Sequence, residues 1–176
     1  MEIKKQDTWY RYICYFFIFC VSGWICEVIW AYSVYHTFVN RGYLHGFYLP
    51  VYGFGGIFLL FCLKKLAFSR RFYAPFLVFL SAFFIVSVWE YLASYIMELI
   101  FDKRWWDYTY EKYNLNGRIF LKNSILLAFG GMFFIYVFYP LLKKLFDRIN
   151  DKVLKIASII ILIVMGIDLL AVLLGY

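Results

Sequence analysis

Apolar residues run almost unbroken through Trp9–Val34, Phe47–Leu63, Phe72–Ile100, Ser124–Leu142 and Ile156–Gly175, and the polar residues collect between these runs. A helix needs about 20 residues to cross the ~30 Å hydrocarbon layer of a bilayer. The pattern therefore predicts five transmembrane helices in an all-α polytopic membrane bundle. The second run is the shortest, and Gly53, Gly55 and Gly56 within it predict close packing or a bend. The first run is too long for the apolar core of a signal peptide and lacks a small-residue cleavage site, so it reads as a retained helix. At 176 residues no room remains for a soluble domain, and residues 1–176 read as a single integral membrane domain.

Composition supports this assignment. Hydrophobic residues make up 65% and charged residues 16% of the chain, outside the range of soluble globular proteins. The net charge of +7 is unevenly placed. Lys4, Lys5 and Arg11 stand at the first run, Lys64, Lys65, Arg70 and Arg71 follow the second, and Lys143, Lys144, Arg148, Lys152 and Lys155 follow the fourth. In a five-span topology all of these lie on one face of the membrane. The positive-inside rule makes that face cytoplasmic, which puts the N-terminus inside and the C-terminus outside a bacterial cell membrane. The charge excess thus reads as topology and attraction to anionic lipid headgroups, not as nucleic-acid binding. Cys14, Cys20, Cys26 and Cys62 lie within spans without metal-ligand spacing and read as small buried hydrophobes.

Two polar segments break the runs on the predicted outer side: HTFVNRGYLHG at 36–46 and DKRWWDYTYEKYNLNGRIFLKN at 102–123. Both are rich in Arg, Asn, aromatic and imidazole or carboxylate side chains. A weak internal repeat relates them. Leu63-Lys64-Lys65-Leu66 is echoed by Leu142-Lys143-Lys144-Leu145, Phe54-Gly55-Gly56 by Phe129-Gly130-Gly131, and Asn40-Arg41-Gly42 by Asn116-Gly117-Arg118. Spans one–two and three–four then form two parallel helical hairpins, with the fifth helix added.

Four acids fall inside predicted spans: Glu27, Glu90, Glu98 and Asp168. A carboxylate in hydrocarbon costs several kcal/mol, so such residues face the bundle interior and find partners. Counted from the helix ends at 1.5 Å per residue, Glu27, Glu90 and Asp168 share a layer roughly 10–15 Å below the outer surface, with Glu98 nearer the mouth. Arg41, Arg104 and Arg118 are the natural counter-charges, since a guanidinium fork suits carboxylate or phosphate. Asp107, amid Trp105, Trp106 and Tyr108, is placed to close onto Arg41 or Arg118 and lock the outer segments, or to serve a ligand or proton. His36 and His45 lack a third metal ligand and read as interfacial. No metal site or cofactor is expected, and without a nucleotide-binding motif the chain cannot use ATP by itself.

The order of several motifs resembles the bacterial family of CmpB-like, ABC-transporter type IV permeases. The elements are Gly23-Trp24-Ile25-Cys26-Glu27, Phe38 through Gly46, Pro50-Val51-Tyr52-Gly53-Phe54-Gly55, Trp105 to Tyr108, and Asn114 to Arg118, within a similarity extending over about residues 20–170. Phe47 stands where the family usually carries Pro, which alters the local turn. The resemblance implies a permease, and its motifs add Asn40, Tyr52 and Asn116 to a substrate-binding set with Glu27, Arg41, Glu90, Asp107, Arg118 and Asp168. Its partners would be the lipid bilayer and a separate ATPase subunit or further copies of the chain.

Three functions compete at this stage. The first is a permease-like transport component with a polar site in the outer half of the bilayer. The second is a membrane-embedded enzyme acting on a lipid or polyprenyl phosphate, with Glu27, Glu90 or Asp107 in acid–base roles. The third is a non-catalytic accessory protein whose polar network only fixes the fold.

Overall fold

The computed structural model describes residues 7–40 and 42–175. Six α-helices follow in order: α1 (Trp9–Tyr35), α2 (Pro50–Ala67), α3 (Ala74–Phe101), α4 (Leu121–Phe133), α5 (Tyr139–Asp147) and α6 (Asp151–Leu173). A two-stranded antiparallel hairpin, β1 (Asn114–Leu115) and β2 (Ile119–Phe120), precedes α4. Because α4 and α5 are continuous through Leu121–Asp147, five helices among the described residues are long and apolar enough to span a membrane. The chain is an all-α, multi-pass membrane protein.

Local chemistry explains where these helices stop. The ends of α1 and α3 are capped by His36 (φ 53°) and Asp102 (φ 49°) in the left-handed conformation that terminates helices. At the start of α6 the Asn150 side chain accepts the Lys152 N–H at 2.9 Å. Between α4 and α5 the helix widens into a π turn over Phe134–Phe138, just before Pro140. Proline has no N–H and its ring collides with the carbonyl four residues back, here Tyr136. One turn of wider register lets the span continue past it.

The chain divides into two compact units, Met1–Ile57 with Leu141–Tyr176, and Phe58–Pro140. In the first, α1 packs on α6. Around Cys20, Leu44 and Tyr48 cluster Phe16, Phe17, Val21 and Met165. The connection 36–49 does not stand out from the end of α1 but doubles back beside it. Its last residue, Leu49, donates its N–H to the Cys20 carbonyl at 3.0 Å. Consequently α2 starts against the middle of α1, and Gly53 touches it so closely that a Cβ would lie 2.4 Å from Cys20 Sγ.

The other end of this unit is pinned by charge. Arg11 is wholly buried and donates to Asp147 Oδ1 at 2.5 Å, Asp151 Oδ1 at 3.2 Å and the Phe146 carbonyl at 3.4 Å. Lys143 and Tyr15 both reach Asp7 Oδ1, each at 3.1 Å. Arg11 is thus a tie between α1 and the α5–α6 turn, whereas its sequence position suggested a charge facing headgroups.

In the second unit α3 packs on α4, with Val78, Ala82 and Ala128 fully buried and the Phe79 and Phe129 rings 4.8 Å apart. Here too the connection returns along its helix. Asn123, in the first turn of α4, reaches Glu90 of α3, so the eleven residues Tyr91–Phe101 project beyond the start of α4. Residues 102–120 fold against that projection. Glu27 and Glu90 lie level with the starts of α2 and α4, because α1 and α3 both overshoot the helices that follow them. Of the cysteines, Cys14 and Cys20 are buried as expected, but Cys26 and Cys62 are exposed on helix surfaces.

The glycine contacts yield a test. Gly53→Ala forces the Cys20 and Phe16 side chains to shift, and overpacking of this kind costs about 1–3 kcal/mol. Gly130→Ala meets nothing within 4 Å and is expected to stay within about 0.5 kcal/mol of the parent. Thermal unfolding of the two variants in detergent separates these outcomes.

Candidate functional site

In the first unit, Asp168 on α6 collects four donors from the returning segment. Oδ1 accepts the His45 backbone N–H at 3.2 Å and bonds to His45 Nδ1 at 2.9 Å. Oδ2 accepts the Gly46 N–H at 3.1 Å and the Tyr48 hydroxyl. Burial, reinforced by Asp168, pushes the Tyr48 phenol above its ordinary pKa, so it remains a donor at physiological pH. Glycine at 46 is required by crowding, since a Cβ there would lie 2.0 Å from the Tyr48 ring. On α1, Glu27 Oε1 accepts the Tyr52 hydroxyl at 2.5 Å, and Tyr52 packs directly over Gly23. Trp24 Nε1 donates to Asn40 Oδ1 at 2.9 Å, and the same oxygen accepts the Gly42 N–H at 3.2 Å. Asn40 thereby turns the chain toward Asp168.

In the second unit, a guanidinium organises the polar residues. Arg118 is 7% exposed and donates to Glu98 and, at 3.1 Å, to Ser94 Oγ. Its charge also lies over the rings of Tyr95 and Tyr91, 5.2 and 5.8 Å from their centroids. Arg104 joins the same carboxylate at 3.0 Å. Glu90, two turns earlier on α3, accepts Asn123 Nδ2 at 2.8 Å and the Tyr108 hydroxyl at 3.3 Å. Asn116 reaches the Tyr91 hydroxyl at 3.0 Å.

A tight turn holds Arg118 in place. Asn116 and Gly117 both have positive φ, 54° and 67°, and Arg118 N–H closes onto the Leu115 carbonyl at 3.0 Å. Asn and Gly tolerate this left-handed backbone best, and with Arg118 they make a three-residue connection between the paired strands. A Cβ on Gly117 would lie 2.6 Å from Thr109 Oγ1 and 2.7 Å from Asp107 Oδ1.

The expected site residues thus divide by unit. Glu27, Asn40, Tyr52 and Asp168 gather in the first and Glu90, Asn116 and Arg118 in the second, while Arg41 lies outside the described residues. Asp107 does not bind Arg118, whose guanidinium goes to Glu98. It accepts instead from the Thr109 N–H at 2.9 Å and the Thr109 hydroxyl, capping a local turn. Sequence reasoning set aside His45 as interfacial and passed over Tyr48, Tyr108 and Asn123. The signal available for His45 and Tyr48 was their place beside Gly46, within a segment already rich in polar residues. Among the described residues no group of three or more His, Cys, Asp or Glu is arranged to hold a metal ion.

A family model described as "Putative ABC-transporter type IV" matches residues 14–173. No curated protein and no solved structure matches the chain.

Asp168→Asn puts an amide donor where two donors already point, and an unsatisfied buried group costs about 1–3 kcal/mol. The variant should lose thermal stability in detergent and expose residues 42–49 to protease first. Asp107 behaves differently with pH. The Thr109 hydroxyl and N–H hold its carboxyl below the ordinary carboxylate range. Its contribution is complete above the unfolded pKa of about 3.9 and is lost only as pH falls through the lower folded value. Protease sensitivity around 105–112 should therefore stay constant from about pH 7 to 5 and rise in Asp107→Ala at every pH in that range.

Proposed function

Because this chain belongs to the ABC-transporter type IV family, we propose that it is the membrane-spanning subunit of a transport complex powered by a separate ATPase. The family match over residues 14–173 carries this reading. It is supported by five apolar helices and by a sequence with no nucleotide-binding motif of its own. The N-terminus faces the cytoplasm and the C-terminus the exterior, as the lysine and arginine distribution favours.

Each unit carries its own polar cluster, which this reading puts in the outer half of the membrane: Glu27, Asn40, Tyr52 and Asp168 in one, and Glu90, Asn116 and Arg118 in the other. Asp107 shapes the turn that carries Arg118. Substrate contact falls to Glu27 and Glu90, whose carboxylates meet tyrosine hydroxyls on returning chain. Asp168 and Glu98, held by four donors and by two guanidinium groups respectively, take no part in substrate contact in this reading. Carboxylates so engaged suit fixed architecture better than proton transfer to a substrate.

The test is recovery of the tagged full-length chain from native membranes in mild detergent. A nucleotide-hydrolysing protein should co-purify, and Glu27→Gln and Glu90→Gln should each abolish transport while leaving membrane insertion and that association intact. Recovery without any nucleotide-binding protein would remove the ATPase part of the reading. Full transport in both variants would remove the site.

A further inference from the structure

We propose that the groove formed by α3, the β1–β2 hairpin and the first turn of α4 binds a bilayer lipid bearing an anionic phosphate head. Two open depressions here share Tyr113, Phe120 and Leu121 in their walls and so lie side by side on one surface. The first, of 330 Å³, runs over Phe83, Phe84 and Ser87 of α3 against Leu115 and Ile119 of the hairpin. The second, of 540 Å³, continues past Tyr110 and Glu111 to Lys112 and Lys122.

The two ends differ in chemistry. The floor at Phe83 and Phe84 lies about two helical turns before Glu90, within the apolar span of α3. Phe84, Leu115, Leu121 and Tyr113 are exposed there. Apolar surface of this kind is covered by acyl chains in a membrane and by nothing comparable in water. The far end carries two exposed lysines against a single Glu111, an excess of positive charge suited to a phosphate. A free anion would leave the apolar half unfilled, and a neutral lipid would leave the lysines unmatched. An anionic lipid satisfies both. This inference does not depend on an ATPase partner.

Full-length protein reconstituted in phosphatidylcholine vesicles provides the test, with a phosphatidylglycerol probe carrying a photoactivatable acyl chain. Labelling should concentrate on peptides containing Phe83–Ser87 and Tyr113–Ile125. It should exceed labelling by the matching phosphatidylcholine probe by about tenfold. The double variant Lys112→Gln/Lys122→Gln, which alters only exposed side chains, should erase that preference while circular dichroism stays unchanged. Equal labelling by the two probes, a preference that survives the double variant, or labelling concentrated elsewhere overturns the proposal. Abolition by millimolar inorganic phosphate also overturns it, because the site would then bind the ion and not the lipid.

Discussion

Non-helical backbone at the edge of a membrane must find partners for its N–H and C=O groups without relying on water, and this requirement shapes both polar segments. Residues 36–49 and 102–120 leave the far ends of α1 and α3 and then return along them. On the way back they need acceptors, and the carboxylates supply them. Asp168 takes the N–H groups of His45 and Gly46, Asp107 that of Thr109, and the helix carbonyl of Cys20 that of Leu49. Acids that looked from the sequence like candidates for chemistry thus also serve as anchors for the loops above them.

The same environment explains why arginine, not lysine, occupies the deepest cationic positions. A guanidinium offers five donors in a plane and is less strongly hydrated than an ammonium. Arg11 divides its donors among Asp147, Asp151 and the Phe146 carbonyl. Arg118 divides its own between Glu98 and Ser94 and rests against two tyrosine rings. Removing charges from water is costly, and only several well-directed partners offset that cost. Lysines appear instead at exposed or half-exposed positions such as Lys112, Lys122 and Lys143.

What could be read from the chain alone follows from the range of each signal. Hydrophobic runs are local, so all five spans were legible, with boundaries shifted by a few residues where caps and the Pro140 π turn act. The β1–β2 hairpin was not expected from the sequence, although the Asn116-Gly117 pair at its turn is a local signal for one. The Asp168 clasp was not legible, because its donors at 45–48 lie more than a hundred residues away along the chain. Arg11 was misread for the same reason, since Asp147 and Asp151 enter only when α1 packs beside the last two helices. The doubling back of both connections was hidden as well. Nothing in a polar segment's composition distinguishes projection into water from return along its own helix.

That return sharpens the internal repeat and also limits it. In each unit an overshooting helix carries a glutamate, and a tyrosine from the chain that follows donates to it: Tyr52 to Glu27 and Tyr108 to Glu90. The offsets, however, are 63 residues between the glutamates and 56 between the tyrosines, from 90 − 27 and 108 − 52. The sequence echoes at Gly-Gly and Lys-Lys fall instead at 75–79. The glutamate–tyrosine pairs therefore do not share the offset of those echoes. They are better understood as two answers to one problem. A carboxylate carried on an apolar helix requires a donor, and a tyrosine from the following chain brings a hydroxyl on an apolar ring.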